Sequence, residues 1–484
     1  MEFVSRVPLP DETATDYAML GGEHAERGRR LFQTGLVLLT AALCYLGYTS
    51  RAPEPIHTAL SLVMFALSVI PSLLWARSGG SRFPVFETTL LLCANAYALP
   101  VLNAHEQLAG YSSEVITLAC VAVLLYQLSG IAVYLLTRGV PGRSNFWREP
   151  LITGKLEKLL VYGLVFSTVY MWMSTFSGWI PHELDSTLRA VFYGLSILCT
   201  FVSSQRWGRG EMNLSDKVML VCTLIPQLIF MSVGLILIAA IGQVGIALLG
   251  YLSGSKRIPW LVVALAFTVM AVLHTGKTKM RTKYWDQHYP PPAGIAELPA
   301  FYTEWVQMGL EPTEGGKTVS QKMLERTSLM HILCLIVDST PARQDYLYGK
   351  TYSYVLPQLI PRVFWDSKPK AHIATYELSI YYGLQQQEEI STTSIAFGLL
   401  AEAYANFGIF GAMLLGAFWG FWLKKLQIWS TFSPMFSFAG LFMVLLTAWS
   451  FASELTMAAW VSSFEQAVVV VLGLPLVLRS LFGF

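Results

Sequence analysis

Residues 114–136, EVITLACVAVLLYQLSGIAVYLL, place one acidic side chain, Glu114, ahead of 22 residues without any charge. An α-helix of about 20 apolar residues is long enough to cross the hydrocarbon core of a membrane. Similar apolar blocks recur along most of the chain. The sequence therefore predicts a protein that crosses a membrane many times.

The composition excludes an ordinary soluble protein. Of the 484 residues, 54% are hydrophobic and only 13% are charged, whereas soluble chains carry about 25% charged residues. The net charge is +2, so the chain lacks the basic excess typical of nucleic-acid-binding proteins. The six cysteines form no CxxC or Cys/His spacing that would indicate zinc or a disulfide framework.

We predict an all-α, polytopic integral membrane protein with about twelve transmembrane helices and one large extracytoplasmic loop that contains amphipathic helices. The stretch 218–252 is ambiguous, because it could form a tight hairpin near Gly234 or one span plus a buried helix. The candidate spans are 31–49, 56–75, 83–102, 114–136, 159–177, 187–203, 218–234, 235–252, 258–274, 395–423, 435–453 and 456–478.

The distribution of Lys and Arg predicts the orientation. With a cytoplasmic N-terminus, 19 of the 33 basic residues fall in inside segments, and the short outside loops carry only Arg51, with Arg189 near the outer end of a span. Both termini are then cytoplasmic, and the hairpin is favoured because it keeps Lys256 and Arg257 inside. The predicted organisation is a tail at 1–30, a bundle of about nine spans at 31–274, an extracytoplasmic loop at 275–394 and the C-terminal spans at 395–484.

The long loop contains segments with different predicted structures. The proline run makes Asp286–Pro292 extended, because proline does not continue a helix. Thr318–Asp338 is predicted to be a helix that lies against the bundle, with Thr318 and Gln321 in a capping box. The stretch 349–370, GKTYSYVLPQLIPRVFWDSKPK, contains three prolines and should be irregular or form only short elements.

Cations cluster in this last stretch. Arg362, Lys368 and Lys370 surround Trp365, and prolines restrict the backbone between them. Guanidinium and ammonium groups could bind a diphosphate, and an aromatic ring could stack on a sugar. The alternative is an interfacial segment that contacts lipid headgroups. Arg326, in the 318–338 helix, is either a second phosphate or sugar contact or one half of a surface ion pair with an acidic residue such as Glu325.

Glu402 and Asn406 lie four residues apart in the predicted span, within FGLLAEAYANFG at 397–408, and therefore share a helical face. An ionisable group inside a span is costly and usually faces a cavity. Glu402 could act as a general base or hydrogen-bond partner for a sugar hydroxyl. Alternatively, it pairs with a cation of the loop and holds the span in place. The sequence contains no DxD-like pair, Walker loop or zinc helix, so neither a metal nor a cofactor is predicted.

Two segments resemble the Wzy-type oligosaccharide repeat-unit polymerases of bacterial surface polysaccharides. They are Tyr348–Pro369, YGKTYSYVLPQLIPRVFWDSKP, and Ser391–Gly408, STTSIAFGLLAEAYANFG. The resemblance rests on G-K-T-Y, PR-x-x-W-x-x-KP and E-x-Y-x-N-F-G runs near the end of the large loop, over about 60 residues.

The resemblance implies a lipid-to-lipid glycosyltransferase that needs neither a metal nor a nucleotide sugar. Its partners would be an undecaprenyl-diphosphate-linked oligosaccharide, membrane lipids and a chain-length regulator protein, with no nucleic acid. The site would lie on the periplasmic face of the bacterial inner membrane. Arg362 and Glu402 would be catalytic, with Glu402 as a base or orienting group. The implied substrate-binding residues are Arg326, Lys350, Tyr352, Trp365, Lys368, Tyr404 and Asn406.

Three alternatives remain open. A ligase that passes finished glycan from the same lipid to another acceptor would need a similar group of cations. A transporter or flippase of lipid-linked sugars would carry ionisable groups along several spans. A scaffold of an export complex would tolerate substitution of the loop charges.

Overall fold

The computed structural model is all-helical, with no strand in the part of the chain that it describes. That part comprises residues 12–78, 83–140, 156–177, 179–180, 182–255, 259–286, 288–311, 328–360, 365, 367–387, 395–431, 433, 437–473 and 476. The chain divides into two compact units, residues 1–149 with 323–465 and residues 150–322 with 466–484. The predicted loop 275–394 is thus divided between the two units.

The first unit contains helices from both ends of the chain. They are α1 (Glu12–Thr49), α2 (Pro55–Arg77), α3 (Val85–Leu102, with a π-helical turn at Ala94–Ala98) and α4 (Ser113–Leu136). The second unit contains α5 (Leu156–Phe176), α6 (His182–Arg209), α7 (Leu214–Ser232), α8 (Ile238–Ser255), α9 (Trp260–Arg281) and α10 (Leu298–Leu310). The chain then returns to the first unit with α11 (Met330–Ser339), α12 (Ile373–Tyr381), α13 (Leu399–Trp429), α14 (Phe438–Trp449) and α15 (Met457–Val468), of which the residues up to Glu465 belong to this unit.

Seven helices within the described residues are long and apolar enough to cross a membrane. They are Gly28–Thr49, Pro55–Arg77, Val85–Leu102, Ser113–Leu136, Leu214–Ser232, Trp260–Trp285 and Leu399–Trp429. The prediction of an α-helical membrane protein is therefore confirmed. Helices also form over the other five predicted spans, but they fall below this length or hydropathy. A total of twelve spans stays a prediction.

The two elements predicted in the 218–252 stretch are separate helices. α7 ends at Ser232 and α8 begins at Ile238, and Leu235 in the turn between them has a positive φ of 56°. α7 is long and apolar enough to cross a membrane and α8 is a shorter apolar helix, so the choice between a hairpin of two spans and one span plus a buried helix stays open.

Close contact between α4 and α13 organises the first unit. A Cβ atom added to Gly416 would lie 2.1 Å from the carbonyl oxygen of Tyr126, and one added to Gly420 would lie 2.3 Å from that of Gly130. Only glycine permits two helix backbones to approach this closely, as in the small-residue interfaces of membrane proteins.

A buried polar cluster joins α3, α4 and α13 near one end of this contact. Gln427 donates a 2.9 Å hydrogen bond to the Glu87 carboxylate and accepts one of 2.6 Å from the Tyr134 hydroxyl. Each buried polar group thereby gains a partner, which compensates for the cost of removing it from water. The cluster fixes the ends of three helices relative to one another.

The second unit has its own buried polar network. The Ser196 hydroxyl donates to Gln227, while the Gln243 amide donates to Ser196 and Thr200 and the Gln227 amide donates to Thr168, over 2.7–2.9 Å. These side chains come from α5, α6, α7 and α8. The network therefore links four helices within this unit.

The long loop agrees in part with the sequence expectations. Residues 288–292 lie outside any helix, although Asp286 still belongs to a π-helical turn that continues α9. The C-terminal part of the predicted Thr318–Asp338 helix corresponds to α11, which runs from Met330 to Ser339. Residues 318–327 lie outside the described residues.

Candidate functional site

The candidate site is built on a break in α13. Phe407 and Gly408 have non-helical dihedral angles, and Gly408 adopts φ 61° and ψ −146°, a combination that essentially only glycine tolerates. The Tyr346 ring occupies the space beside Gly408, since an added Cβ atom would lie 2.8 Å from its hydroxyl oxygen. The break separates a short N-terminal segment, residues 399–406, from the rest of α13.

Asn406 attaches the preceding loop to this short segment. Its amide oxygen accepts a 2.9 Å hydrogen bond from the Gly349 backbone N–H, and its amide nitrogen donates 2.8 Å bonds to the Thr351 hydroxyl and the Glu402 carbonyl. Backbone bonds from Leu347 to Ala405 and from Tyr348 to Asn406 extend the attachment. Residues 347–351 are thus fixed to the helix, and the prediction that Glu402 and Asn406 share a face agrees with the Asn406–Glu402 bond.

Glu402 is completely buried and joins two helices. Its side chain has 0% exposure, and Oε2 accepts a 2.6 Å hydrogen bond from the backbone N–H of Met457, the first residue of α15. A carboxylate at this position satisfies an N–H group that the helix itself leaves unpaired. The Thr351 hydroxyl lies beside the carboxylate, while Oε1 has no hydrogen-bond partner among the described residues. This geometry suits an orienting group better than a base exposed to substrate.

The start of α13 is held against the loop that precedes α15. Gly398 has a positive φ of 81°, and its N–H donates a 2.9 Å hydrogen bond to the Glu454 carbonyl. A Cβ atom at Gly398 would lie 2.9 Å from the Ser453 carbonyl oxygen. A larger residue would therefore push the two segments apart.

A second carboxylate, Glu377 on α12, contacts the same loop. Its Oε1 accepts a 2.8 Å hydrogen bond from the Tyr354 hydroxyl and lies 3.2 Å from the Lys350 ammonium group. Burial, together with the Glu377 carboxylate, raises the pKa of Tyr354 to about 12, so that the phenol keeps its proton at neutral pH.

Lys368 and Trp365 have partners within their own loop. The Lys368 ammonium group donates 2.8 Å hydrogen bonds to the carbonyl oxygens of Gln358 and Ile360. The Trp365 indole N–H donates to the Ser367 hydroxyl at 2.9 Å, and the side chain is 37% exposed. Lys368 therefore closes the loop, while the Trp365 ring is accessible for contact with a sugar or with lipid.

The two predicted tyrosines occupy different environments. Tyr352 is half-buried, and its ring is parallel to that of Phe407 with centroids 6.3 Å apart. Burial and the nearby Glu402 carboxylate raise the pKa of the Tyr352 phenol far above its usual range. Tyr404 is buried in the apolar core of the first unit. Only Tyr352 therefore lies at the surface of the candidate site.

Two predicted residues cannot be placed. Arg362 and Arg326 lie outside the described residues. The structure thus brings together Lys350, Tyr352, Glu402 and Asn406. Sequence analysis missed Thr351 and Glu377.

An apolar groove in the first unit begins near the candidate site. It contains about 590 Å³ of empty space including its opening, and α3, α4, α13, α14 and the segment before α15 line it. Leu399 and Ser453 lie at one end, within one helical turn of Glu402, and Val85 and Leu423 lie at the other. Leu400 and Leu423 are 23 positions apart along the broken α13, which corresponds to at most about 35 Å at 1.5 Å per residue.

The basic cluster at the end of α9 is largely paired. Lys279 forms an ion pair with Glu311, and Lys283 with Glu304, each at 2.6 Å. Arg281 donates to the Leu235 carbonyl and stacks on Trp285. These contacts make the cluster part of the second unit's internal structure.

Comparisons with known proteins provide one match. Residues 220–456 match a family described as a domain of unknown function (DUF8712). No curated protein and no solved structure matches the chain. The matched region contains the candidate site residues from Tyr346 to Ser453.

Proposed function

We propose that this protein is a lipid-to-lipid glycosyltransferase that polymerises undecaprenyl-diphosphate-linked oligosaccharide repeat units into a surface polysaccharide. The growing glycan would move from its lipid diphosphate to the terminal sugar of a fresh lipid-linked repeat unit. The lipid diphosphate is then the leaving group, and no nucleotide sugar takes part.

One observation carries the proposal. A loop that carries a cation and phenol hydroxyls, and that contacts the Glu377 carboxylate of α12, is fixed by Asn406 to a helix of membrane-spanning length, at the end where an apolar groove begins. A lipid-linked sugar has the matching parts in the same order, namely an apolar chain, a diphosphate and a polar sugar. The groove would hold part of the lipid chain, and the loop would contact the diphosphate and sugars.

The residues divide into three roles in this proposal. Lys350 and Arg362 stabilise the negative charge that develops on the departing diphosphate. Trp365 and Tyr352 shape the sugar cleft. Glu402 acts as the orienting group, because it holds the start of α15 and lies beside Thr351.

The proposed location follows from the distribution of basic residues. The positive-inside rule places both termini in the cytoplasm and the candidate site on the opposite face, in the bacterial inner membrane. Substrate would arrive there already linked to its lipid, and a chain-length regulator protein would be a natural partner.

The experiment uses purified protein in nanodiscs with the lipid-diphosphate-linked repeat unit extracted from the native host. Wild-type protein should convert the repeat unit into a ladder of products on a gel, also when a metal chelator is added. Lys350→Met and Arg362→Ala should lose the ladder, whereas Lys279→Met, which removes a paired lysine of the second unit, should retain it.

Two results would contradict the proposal. Transfer of preformed glycan to a different acceptor without a ladder would indicate a ligase. Movement of the intact lipid across a vesicle membrane without any new linkage would indicate a flippase.

A further inference from the structure

Only one of the two carboxylate oxygens of Glu377 takes part in the contacts of the described residues. Both of its donors, the Tyr354 hydroxyl and the Lys350 ammonium group, contact Oε1. The other oxygen, Oε2, is buried and has no hydrogen-bond partner among the described residues. A buried acceptor without a donor is costly, so such an atom requires an explanation.

A very similar trio in the second unit shows what a fully satisfied carboxylate looks like. Glu304 also contacts one lysine and one tyrosine, but Lys283 donates to Oε1 and Tyr284 donates to Oε2. The side chains of Glu304 and Glu377 are almost equally exposed, at 27% and 28%. The two trios therefore differ mainly in that Oε2 of Glu377 has no donor among the described residues, whereas both oxygens of Glu304 accept a hydrogen bond.

The other carboxylate of the site is less suited to meet a substrate. Glu402 has no exposed surface and uses Oε2 to hold the N-terminus of α15. A sugar hydroxyl could reach it only after displacement of the loop around Thr351. The Glu377 side chain is 28% exposed, so a sugar hydroxyl has to displace less of the protein to reach its buried Oε2 than to reach Glu402.

The position of α12, which carries Glu377, is fixed by a contact on the opposite side of the helix. The Thr375 hydroxyl is buried and lies 3.1 Å from that of Thr456, so the opposite side of α12 is attached to the segment before α15. Lys350 and Tyr354 then fix the direction of the carboxylate from the loop side. A base that is held in one orientation loses little entropy when the substrate binds.

We propose that Glu377 is the catalytic base of the transfer reaction and that its Oε2 accepts the proton of the acceptor sugar's hydroxyl. This inference rests on the proposed glycosyltransferase function. The acceptor oxygen forms a bond to the anomeric carbon of the donor glycan as the bond from that carbon to the diphosphate oxygen breaks. The proton moves to Glu377, and the bonding electron pair leaves with the lipid diphosphate, which Lys350 is placed to stabilise.

The test compares Glu377→Gln with the matched control Glu304→Gln in the nanodisc assay. Glutamine keeps the shape of the side chain but cannot take the proton. Because a general base contributes about 100- to 10,000-fold to a rate, Glu377→Gln should lower the initial rate of linkage formation by at least about 100-fold. It should bind undecaprenyl diphosphate, the product, as tightly as wild type does, and Glu304→Gln should keep the wild-type rate.

A rescue experiment separates chemistry from structure. Added formate should partly restore the rate of Glu377→Ala, since a small carboxylate can occupy the vacated space, and it should not accelerate wild type. A Glu377→Gln enzyme with a nearly wild-type rate would overturn the assignment while leaving the polymerase function intact. Loss of both rate and product binding, without rescue by formate, would also overturn it. A wild-type protein that forms no ladder would overturn both proposals.

Discussion

Asn406 should control the local stability of the loop that carries the candidate site. Asn406→Leu keeps a similar side-chain volume but removes the acceptor for the Gly349 N–H and the donor to Thr351. A buried polar group without its partner costs about 1 to 3 kcal/mol, and because Thr351 is fully buried whereas Gly349 is half-buried, the loss of both bonds should cost about 2 to 4 kcal/mol. Because 1.4 kcal/mol is a factor of ten, the opening equilibrium of this loop should increase by about 30- to 700-fold.

Hydrogen exchange measures this opening directly. Amide protons in peptides from residues 347–354 should exchange faster by that factor in Asn406→Leu, while peptides from α4 stay unchanged. Asn103→Leu is the control, because Asn103 is exposed and its side chain donates only to the Leu99 carbonyl among the contacts described. Unchanged exchange in residues 347–354 of Asn406→Leu would refute the view that Asn406 holds the loop to α13.

Two further predictions concern the helix break and an interior histidine. Gly408→Ala should lower the free energy of unfolding by about 1 to 3 kcal/mol, because alanine disfavours this backbone conformation and its Cβ atom would crowd Tyr346. Thermal unfolding should show this loss. The control is Gly242→Ala, at a helical position where an added Cβ atom meets open space, and it should cause no loss of stability. Burial, with the stacked His105 ring nearby, lowers the pKa of His331 from 6.5 to about 4, so the unfolded chain takes up the proton first as the pH falls. The free energy of unfolding should therefore decrease between pH 6.5 and pH 4, by on the order of 2 to 3 kcal/mol, and less so in His331→Gln; equal pH dependence of the two proteins would contradict this assignment.

The apolar blocks were sufficient to predict the helices, because a long uncharged segment in a membrane has few alternatives to an α-helix. The basic residues at 256 and 257 favoured a hairpin near Gly234, and the structure has a turn between two helices at this position. The break at Gly408 was not predicted: the 395–423 block reads as one continuous span, and the Tyr346 ring that packs beside the glycine comes from 62 residues earlier in the chain. The residues around Gly408 contain no turn signal, so nothing in the local sequence indicated that a distant side chain packs against this glycine.

The candidate site was predictable only where its residues are close in sequence. Helical spacing placed Glu402 and Asn406 on one face, but their partners Met457 and Gly349 are more than 50 residues away. Glu377 belongs to no motif, and its importance emerges only when α12 brings it to Tyr354. Lys368 was predicted as a diphosphate contact, yet in the structure it donates to two carbonyl oxygens of its own loop. The sequence shows that a side chain is positively charged, but not whether its N–H groups already donate to backbone carbonyl oxygens in the fold.

Stoichiometry tests the central claim most directly. In the nanodisc reaction with the host's lipid-linked repeat unit, free undecaprenyl diphosphate and new glycosidic linkages would be counted together by mass spectrometry. Lipid-to-lipid transfer predicts one undecaprenyl diphosphate released for each linkage formed, with the product still attached to lipid. Linkages without release of the lipid diphosphate, or release without linkages, would contradict the account.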